Sequence, residues 1–209
     1  MASPKKVIVF GLGSHIKIIK EICELKNIKI IGFISDKKLN IKKKNGLKNL
    51  GNFKNFFKKK FESKTPLIIG IGDNHLRKKY FLLLKKKKFR FIKLIHPNSQ
   101  ISRTAKVKTG SLVNSGVTIN ANASVGYNCI INTNSLLEHD VKVGDHCHIC
   151  PSAKIGGRSQ IEPNTFIGLG SIVIDKIKIG KNVIVGAGSK IFKNLKSDST
   201  YVGNSKKIK

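Results

Sequence analysis

Residues 123–143 have the sequence ASVGYNCIINTNSLLEHDVKV, in which a branched aliphatic residue stands at every sixth position. A small or β-branched residue precedes each of these positions by two, and glycine often follows directly. The spacing continues in both directions, and the sixteen aliphatic positions are Ile101, Val107, Val113, Ile119, Val125, Ile131, Leu137, Val143, Ile149, Ile155, Ile161, Ile167, Val173, Ile179, Val185 and Ile191. A period of six fits neither an α-helix nor a simple alternating strand, and it is typical of parallel β-helices built from hexapeptide repeats.

In such a β-helix each hexapeptide supplies one short strand and one turn, and three hexapeptides close one triangular coil. Sixteen hexapeptides therefore give about five coils. The aliphatic side chains stack inside the prism, and the small residues fit where its walls converge. Successive coils hydrogen-bond along the axis, so each coil satisfies the backbone groups of the next. The second half of the chain is thus predicted to be all-β.

The first half lacks this repeat and alternates predicted strands with predicted helices. We expect strands at 7–11, 28–35, 67–72 and 89–95, and helices at 14–25 and 74–84, the first of them capped by Ser14. Residues 39–64 are rich in lysine and show no clear period. The alternation predicts a small open parallel sheet of the Rossmann-like α/β type. Because His96-Pro97-Asn98 separates the two patterns, we expect domains at residues 1–97 and 98–209.

Two glycine-containing loops follow predicted strands of the first domain. They are Gly11-Leu12-Gly13-Ser14-His15 and Gly70-Ile71-Gly72-Asp73-Asn74. Loops of this kind can present backbone N–H groups to phosphate, and Asp36 after the second strand could accept hydrogen bonds from a ribose or base. The dinucleotide fingerprint is incomplete, because Ile16 replaces its third glycine. A tight turn without a ligand is the alternative interpretation of the first loop.

The chain carries a formal net charge of +30, which favours anionic partners. Arginine occurs only at positions 77, 90, 103 and 158, although proteins that read nucleic acids favour arginine for bidentate contacts. The lysine runs at 42–44, 58–60 and 85–88 lie outside the repeat, and abundant lysine, asparagine and isoleucine are typical of an AT-rich coding sequence. This pattern disfavours nucleic acid and suits small anionic substrates.

The cysteines and the hydropathy pattern bear on metal binding and on cellular location. Cys147-x-x-Cys150 is half of a metal or redox motif, but further ligands at suitable spacing are missing. Cys129 and Cys147 fall on the small-residue position of the repeat, so we predict buried thiols and no metal. No apolar run reaches the roughly 18 residues that span a bilayer. The short N-terminal apolar run is broken by glycine, and we expect a cytoplasmic protein without a membrane partner.

His139 is the strongest candidate for a catalytic residue. It lies 18 residues before Gly157, which is one coil, so the two share a face about 4.8 Å apart. Histidine suits general-base catalysis near neutral pH. Asp140 could hold the imidazole in the tautomer that accepts a proton from the substrate. The Gly157 N–H could stabilise an oxyanion. An exposed surface histidine is the alternative. We also expect His146 at the surface and His148 on the next face.

The remaining histidines give weaker signals. We expect structural roles for His75 and His96, while His15 could serve either a pocket or a turn.

The GLGSH loop, the IGIGDN loop and a hexapeptide β-helix containing Glu138-His139-Asp140 together resemble the NeuD/PglD-like family of sugar O- and N-acyltransferases. The resemblance extends over essentially the whole chain. It implies a left-handed parallel β-helix that forms a homotrimer, with acetyl-CoA bound between neighbouring helices. It also implies that the N-terminal domain holds the nucleotide of a nucleotide-linked sugar, and it requires no metal.

The resemblance also implies roles for particular residues. His139 matches the catalytic base, Asp140 its acidic neighbour, and Gly157 the glycine whose N–H faces the thioester carbonyl. The positions that match contacts to acetyl-CoA are His148, Gly157, Leu169 and Ala187. The positions that match the sugar-nucleotide pocket are Gly13, Ser14, His15, Asp36, Gly72 and Asn132. The chain departs from the family at Gly203-Asn204-Ser205, where a glycine-x-proline-alanine turn is common.

The resemblance predicts an acetyl-CoA-dependent N-acetyltransferase that acts on the 4-amino group of a nucleotide-linked amino-deoxysugar. A UDP-linked sugar is the first choice, and GDP- and dTDP-linked sugars are further options. O-acetylation of a sialic acid-type sugar is the alternative enzymatic function, because the same base would serve a hydroxyl. A non-catalytic basic scaffold or nucleic-acid-binding protein is the alternative from another class, and the Glu138-His139-Asp140 segment argues against it.

Overall fold

The computed structural model describes residues 5–35, 41–56 and 65–208, except for the side chains of Lys54 and Asn55. The chain divides into two compact units, Met1–Pro97 and Asn98–Lys209. The first unit mixes helices with strands, and the second is built from strands. The boundary falls where the alternating pattern of the sequence gives way to the hexapeptide repeat.

A five-stranded sheet forms the centre of the first unit. Its strands are β1 (Lys6–Phe10), β2 (Lys29–Ser35), β3 (Lys43–Lys44), β4 (Leu47–Asn52) and β5 (Leu67–Ile69), in the order β3-β4-β2-β1-β5. All neighbours pair in parallel except β3 and β4, which form a hairpin turned by Asn45 and Gly46 at positive φ. The loops after β1 and β5 therefore lie side by side at the carboxyl edge, where the strand order changes direction.

The helices of the first unit are α1 (His15–Leu25), α2 (Phe53–Phe56) and α3 (Asn74–Lys86). The side chain of Ser14 makes no cap hydrogen bond to α1, so the predicted Ser14 cap is wrong. Its backbone is already helical (φ −56°, ψ −31°), whereas a capping residue is normally extended. Asp73 has that extended backbone, and its carboxylate accepts the Leu76 N–H at 2.7 Å. No helix among the described residues is long and apolar enough to cross a bilayer.

Two strands of the first unit are shorter than the sequence suggested. β5 ends at Ile69, because the carbonyl groups of Ile71 and Gly72 turn to the guanidinium of Arg77 instead of continuing a strand. In the predicted strand at 89–95, only β6 (Leu94–Ile95) forms, and Phe91 makes an isolated bridge to Leu67.

The second unit is a parallel β-helix whose strands have two residues each, followed by a hairpin of a three-residue and a two-residue strand. In chain order the strands are β7 (Gln100–Ile101), β8 (Lys106–Val107), β9 (Leu112–Val113), β10 (Thr118–Ile119), β11 (Ser124–Val125), β12 (Ile130–Ile131), β13 (Leu136–Leu137), β14 (Lys142–Val143), β15 (His148–Ile149), β16 (Lys154–Ile155), β17 (Gln160–Ile161), β18 (Phe166–Ile167), β19 (Ile172–Val173), β20 (Lys178–Ile179), β21 (Ile184–Val185), β22 (Lys190–Ile191), β23 (Thr200–Val202) and β24 (Lys206–Lys207). Each strand from β7 to β19 pairs with the strand 18 residues further on, for example Val125 with Val143. The predicted parallel β-helix is thus confirmed, while its left-handed winding stays a prediction.

The repeating aliphatic side chains form the core of this β-helix. Leu137, Ile149 and Ile155 are fully buried, as are the small residues that precede them. Hydroxyl groups inside the prism are satisfied by the backbone, as when the Ser111 Oγ donates to the Gly126 carbonyl at 2.8 Å. Ile101 is only half-buried, because it belongs to the first coil of the stack.

A left-handed backbone conformation recurs every six residues at the corners of the prism. Asparagine and glycine dominate these positions, because they tolerate positive φ best. The positions are Gly110, Gly116, Asn122, Asn128, Asn134, Asp140, His146, Ser152, Arg158, Asn164, Gly170, Lys176, Asn182 and Gly188. Asp140 therefore lies in a sharp corner directly after His139.

Candidate functional site

His139 and Asp140 occupy the corner between β13 and β14. The His139 Nδ1 lies 2.9 Å from Oδ2 of Asp140. An ionised carboxylate can only accept, so this hydrogen bond assigns the proton to Nδ1 and leaves the lone pair on Nε2. Both side chains are about half exposed, at 49% and 47%, so a substrate can reach them. The pair has the geometry of a general base with its orienting acid.

Neighbouring coils hold this corner in place. Asp140 lies between Asn122 and Arg158, which occupy the equivalent positions one coil before and after it. The hydrogen bond from His139, then one from Asn122 and the charges of His139 and Arg158, hold the pKa of Asp140 below its ordinary value. Glu138 supports the corner through its Oε2, which accepts from the Asn120 amide at 3.1 Å and from the His139 N–H at 3.3 Å.

Gly157 lies against the imidazole of His139, as the spacing of one coil predicted. A Cβ atom at this glycine would be 2.8 Å from the His139 Nε2 and 3.0 Å from its Cε1. The Arg158 N–H donates to the His139 carbonyl at 3.0 Å, while the Gly157 N–H makes no hydrogen bond within the described residues. Only a hydrogen atom therefore fits between the Gly157 Cα and the imidazole ring.

Asn132 and His148 contact each other in a chain of buried polar side chains. The Asn132 Oδ1 accepts from the Thr133 N–H at 2.9 Å and from the Asn114 amide at 2.6 Å. The Asn132 Nδ2 consequently faces the His148 Nε2 at 3.2 Å. Because the amide nitrogen can only donate, the His148 Nε2 must act as the acceptor. His148 is therefore neutral with its proton on Nδ1, and the Phe166 ring packs edge-on against it. Asn132 and His148 are only 8% and 6% exposed.

Leu169 and Ala187, predicted to line a CoA channel, are exposed corner residues one coil apart. The Gly188 N–H donates to the Leu169 carbonyl at 2.7 Å. Leu169 is 57% exposed, and Ile172, Ile184 and Phe192 are further large apolar side chains exposed on the later coils. Ile172 lies on β19 and Ile184 on β21, which belong to two different sheets of the prism.

The two glycine loops of the first unit pack against each other at the carboxyl ends of β1 and β5. A Cβ atom at Gly11, whose φ is +97°, would lie 2.5 Å from the Ile71 Cγ1, and one at Gly13 would lie 3.3 Å from the Gly70 carbonyl oxygen. Glycine is thus required at position 11 for the close approach of the two loops, while at position 13 a Cβ atom would make a tight contact. Gly13 and Ser14 are exposed beside this contact.

His15 and Gly72 are also brought together here. His15 begins α1, and a Cβ atom at Gly72 would meet its Nε2 at 3.2 Å. Burial, followed by the charge of Arg77, lowers the pKa of His15 below its ordinary value. The neutral imidazole therefore sits at the edge where a ligand of this sheet would bind. Asp36, the remaining predicted pocket residue, lies outside the described residues.

Sequence reasoning missed Arg77, which is 1% exposed. Its guanidinium donates to the carbonyl groups of Ile71 and Gly72 and to the Asn74 Oδ1. The residue type could have indicated this position. An arginine in a chain that otherwise uses lysine points to a site where the planar, multiply donating guanidinium is needed.

The surface position predicted for His146 is wrong, because this residue is 6% exposed. Its Nδ1 lies 2.9 Å from the Asn128 Nδ2, so the ring contacts the side chain at the equivalent corner of the preceding coil. His96 is buried with its Nε2 4.0 Å from the Glu21 Oε1, whereas His75 is exposed on α3.

The four cysteines are buried free thiols, as predicted. The Cys129 Sγ donates to the Gly144 carbonyl at 3.0 Å, and the Cys147 Sγ to the Glu162 carbonyl at 3.2 Å. Burial raises the pKa of Cys23 to about 12. Among the described residues, no group of three or more His, Cys, Asp or Glu side chains could hold a metal ion.

Comparison with protein families gives a match in each half of the chain. Residues 6–84 match the PglD N-terminal domain, and residues 158–193 match the bacterial transferase hexapeptide repeat. A GDP-perosamine N-acetyltransferase from Escherichia coli is 29% identical over 97 residues, which cover 46% of this chain and 43% of the relative. A serine acetyltransferase from Synechococcus elongatus is 36% identical over 69 residues, or 29% of this chain and 28% of the relative. The matches thus span less than half the length of these relatives.

Solved structures match over nearly the whole chain. A histidine-to-asparagine mutant of perosamine N-acetyltransferase from Caulobacter crescentus, in complex with CoA and GDP-perosamine, is 26% identical with a TM-score of 0.90. The match covers 98% of this chain and 97% of that one. The acetyltransferase domain of PglB from Neisseria gonorrhoeae, in complex with acetyl-CoA, is 25% identical with a TM-score of 0.89 and covers 99% and 100%. Over nearly its whole length the chain is thus similar to acetyltransferases of the NeuD/PglD-like family, and its first unit matches the PglD N-terminal domain.

Proposed function

We propose that the protein transfers the acetyl group of acetyl-CoA to the amino group of a nucleotide-linked amino sugar, with His139 as the general base. The observation that carries this proposal is the arrangement of His139, Asp140 and Gly157. The Nδ1–H of the imidazole is bound to Asp140, and its Nε2 lies against Gly157, whose N–H makes no hydrogen bond within the described residues. This is the arrangement that acyl transfer to an amine requires.

The chemistry follows from these groups. A sugar amine is largely protonated at neutral pH and attacks only after it has lost one proton to solvent. A base must then hold the second proton, which the nitrogen loses as it bonds to the thioester carbon. The His139 Nε2 accepts this proton while the new N–C bond forms, and Asp140 stabilises the resulting imidazolium. The Gly157 N–H donates to the oxyanion, a contact typically worth about 3–4 kcal/mol in the barrier. The C–S bond then breaks, and the proton passes from His139 to the sulfur of CoA.

The first unit would hold the nucleotide, with Gly13, Ser14, His15, Asp36 and Gly72 as its contacts. The relatives named for GDP-perosamine make a GDP-linked amino sugar the first substrate to test, ahead of the UDP-linked sugar that was the first choice before these comparisons. A dTDP-linked sugar is the third option, and the 4-amino group remains the proposed acceptor on each.

Acetyl-CoA would lie along the β-helix, near His148, Gly157, Leu169 and Ala187. The apolar side chains exposed on the later coils suit the pantetheine arm or a neighbouring subunit, which supports the expected homotrimer. At the C-terminal hairpin a cavity of about 510 Å³ is lined by Lys193, Lys196, Lys206 and Lys207 among others, and its charge suits the phosphates of CoA. The atypical Gly203-Asn204-Ser205 turn belongs to this hairpin, where the Ser205 Oγ accepts the Phe192 N–H at 3.1 Å.

The substrate is tested by thiol release from acetyl-CoA with GDP-, UDP- and dTDP-linked 4-amino sugars and with free sialic acid, followed by product identification. We expect turnover of one nucleotide-linked amino sugar and an N-acetylated product. Turnover of sialic acid alone would replace the proposal with O-acetylation. Absence of turnover and of CoA binding, together with DNA affinity that falls steeply with salt, would replace it with nucleic-acid binding.

A further inference from the structure

Arg77 is a buried cation in the first turn of α3, and its guanidinium binds the segment that leads into this helix. Its Nη1 donates to the Gly72 carbonyl at 2.7 Å and to the Ile71 carbonyl at 3.2 Å. Its Nη2 donates to the Asn74 Oδ1 at 2.7 Å. Burying a guanidinium is costly unless such bonds satisfy it, so its presence at 1% exposure ties the helix to a defined loop conformation.

The orientation of the two carbonyl groups fixes the orientation of two N–H groups. In a trans peptide the C=O of one residue points opposite to the N–H of the next, and the described residues contain no cis peptide bond. With the carbonyl oxygens of Ile71 and Gly72 turned to Arg77, the N–H groups of Gly72 and Asp73 point away from it. Neither N–H makes a hydrogen bond within the described residues.

These two N–H groups lie where a ligand of the sheet would bind. They follow β5, whose neighbour β1 leads into the Gly13 loop, and His15 lies against Gly72. Backbone donors at the N-terminus of a helix suit the phosphate groups of a nucleotide. A lysine could not replace Arg77, because an ammonium lacks the planar fork that reaches two carbonyls and an amide oxygen together.

From this geometry we infer that Arg77 is a positioning residue of the sugar-nucleotide pocket, which orients the N–H groups of Gly72 and Asp73 toward the phosphates of the substrate. The inference rests on the proposed function, because it assumes that the first unit binds a nucleotide. Arg77 itself faces away from the ligand and acts through the loop.

The test compares Arg77→Lys with Leu84→Ala, a matched control. Leu84 is fully buried on the same helix but lies far along it from the loop, so its truncation destabilises the unit without touching the carbonyl groups. Affinities for GDP, UDP and acetyl-CoA are measured by calorimetry on wild type and both variants, together with thermal unfolding. We expect Arg77→Lys to weaken nucleotide binding about tenfold or more, and acetyl-CoA binding by less than about twofold. Leu84→Ala should lower the unfolding temperature and leave nucleotide affinity within about twofold.

Each other outcome counts against the inference. Wild-type nucleotide affinity in Arg77→Lys would overturn it, and so would a loss matched by Leu84→Ala at equal thermal stability. Should Arg77→Lys not fold, Asn74→Ala removes one acceptor of the guanidinium and is expected to weaken nucleotide binding with acetyl-CoA binding unchanged; unaltered nucleotide affinity would overturn the inference. If wild type binds no nucleotide but turns over an unlinked amine, the proposed nucleotide-linked substrate is wrong. The inference about Arg77 is then wrong for the same reason.

Discussion

Gly157→Ala tests the site without removing any side chain from it. The added methyl group would lie 2.8 Å from the His139 Nε2, whereas an ordinary van der Waals contact begins near 3.4 Å. The imidazole must therefore retreat by about 0.6 Å or more, because the methyl group is fixed to the backbone of the prism. The base would leave the position from which it can reach a substrate amine.

The size of the effect follows from this displacement. A misplacement of about 1 Å at a reacting group costs about 100-fold in rate, so we expect kcat to fall roughly 30- to 100-fold. Stability should change little, because His139 is half exposed and can move toward solvent. Gly157 is also not among the glycines with positive φ, so alanine fits its backbone. We expect the free energy of unfolding to stay within about 0.5 kcal/mol of wild type.

A double-mutant cycle with His139→Ala separates displacement of the base from damage to the backbone donor. Initial rates of acetyl transfer are measured for wild type, both single variants and the double variant. Without the imidazole the new methyl group has nothing to displace, so Gly157→Ala should have almost no effect in the His139→Ala background. Full activity of Gly157→Ala, or an equal loss in both backgrounds, would refute the steric argument.

Two further predictions concern ionisable groups. Asp140→Asn can present an N–H to the His139 Nδ1 and so move the imidazole proton to Nε2. We therefore expect kcat to fall about tenfold or more, with KM for both substrates nearly unchanged. An unchanged kcat would show that Asp140 does not orient the catalytic histidine. Because the pKa of His15 is lowered on folding, the unfolded chain binds its proton more readily, and stability should decline as the pH falls below about 6.5. Thermal unfolding between pH 8 and pH 5 should show this component in wild type and in the His75→Gln control, but not in His15→Gln, and an identical pH dependence in all three would contradict it.

The β-helix could be predicted from the sequence because its signal is local and repeated. Each aliphatic position independently supports the same six-residue period. Because one coil contains 18 residues, this period alone places His139 beside Gly157. The left-handed corners were also visible in principle, since asparagine and glycine recur in one register. The hairpin of β3 and β4 was missed although Asn45-Gly46 is a common hairpin turn, because the surrounding lysines obscure any strand period.

Contacts between residues far apart in sequence could not be predicted in the same way. His146 looked like a surface residue because a corner position alone does not reveal that Asn128 lies beneath it. The Ser14 cap failed because capping depends on a backbone conformation that residue type does not determine. The hydrogen bonds of Arg77 depend on the direction of two carbonyl groups, which no sequence pattern encodes.

The most direct test of the central claim is thiol release from acetyl-CoA with a GDP-linked 4-amino sugar, measured for wild type and for His139→Ala side by side. General-base catalysis typically contributes about 100- to 10,000-fold, so wild type should turn over and the variant should lose activity by a factor in that range. Loss of activity with unchanged binding of both substrates would establish His139 as the base. Turnover undiminished in the variant would contradict the account, even though the fold would stand.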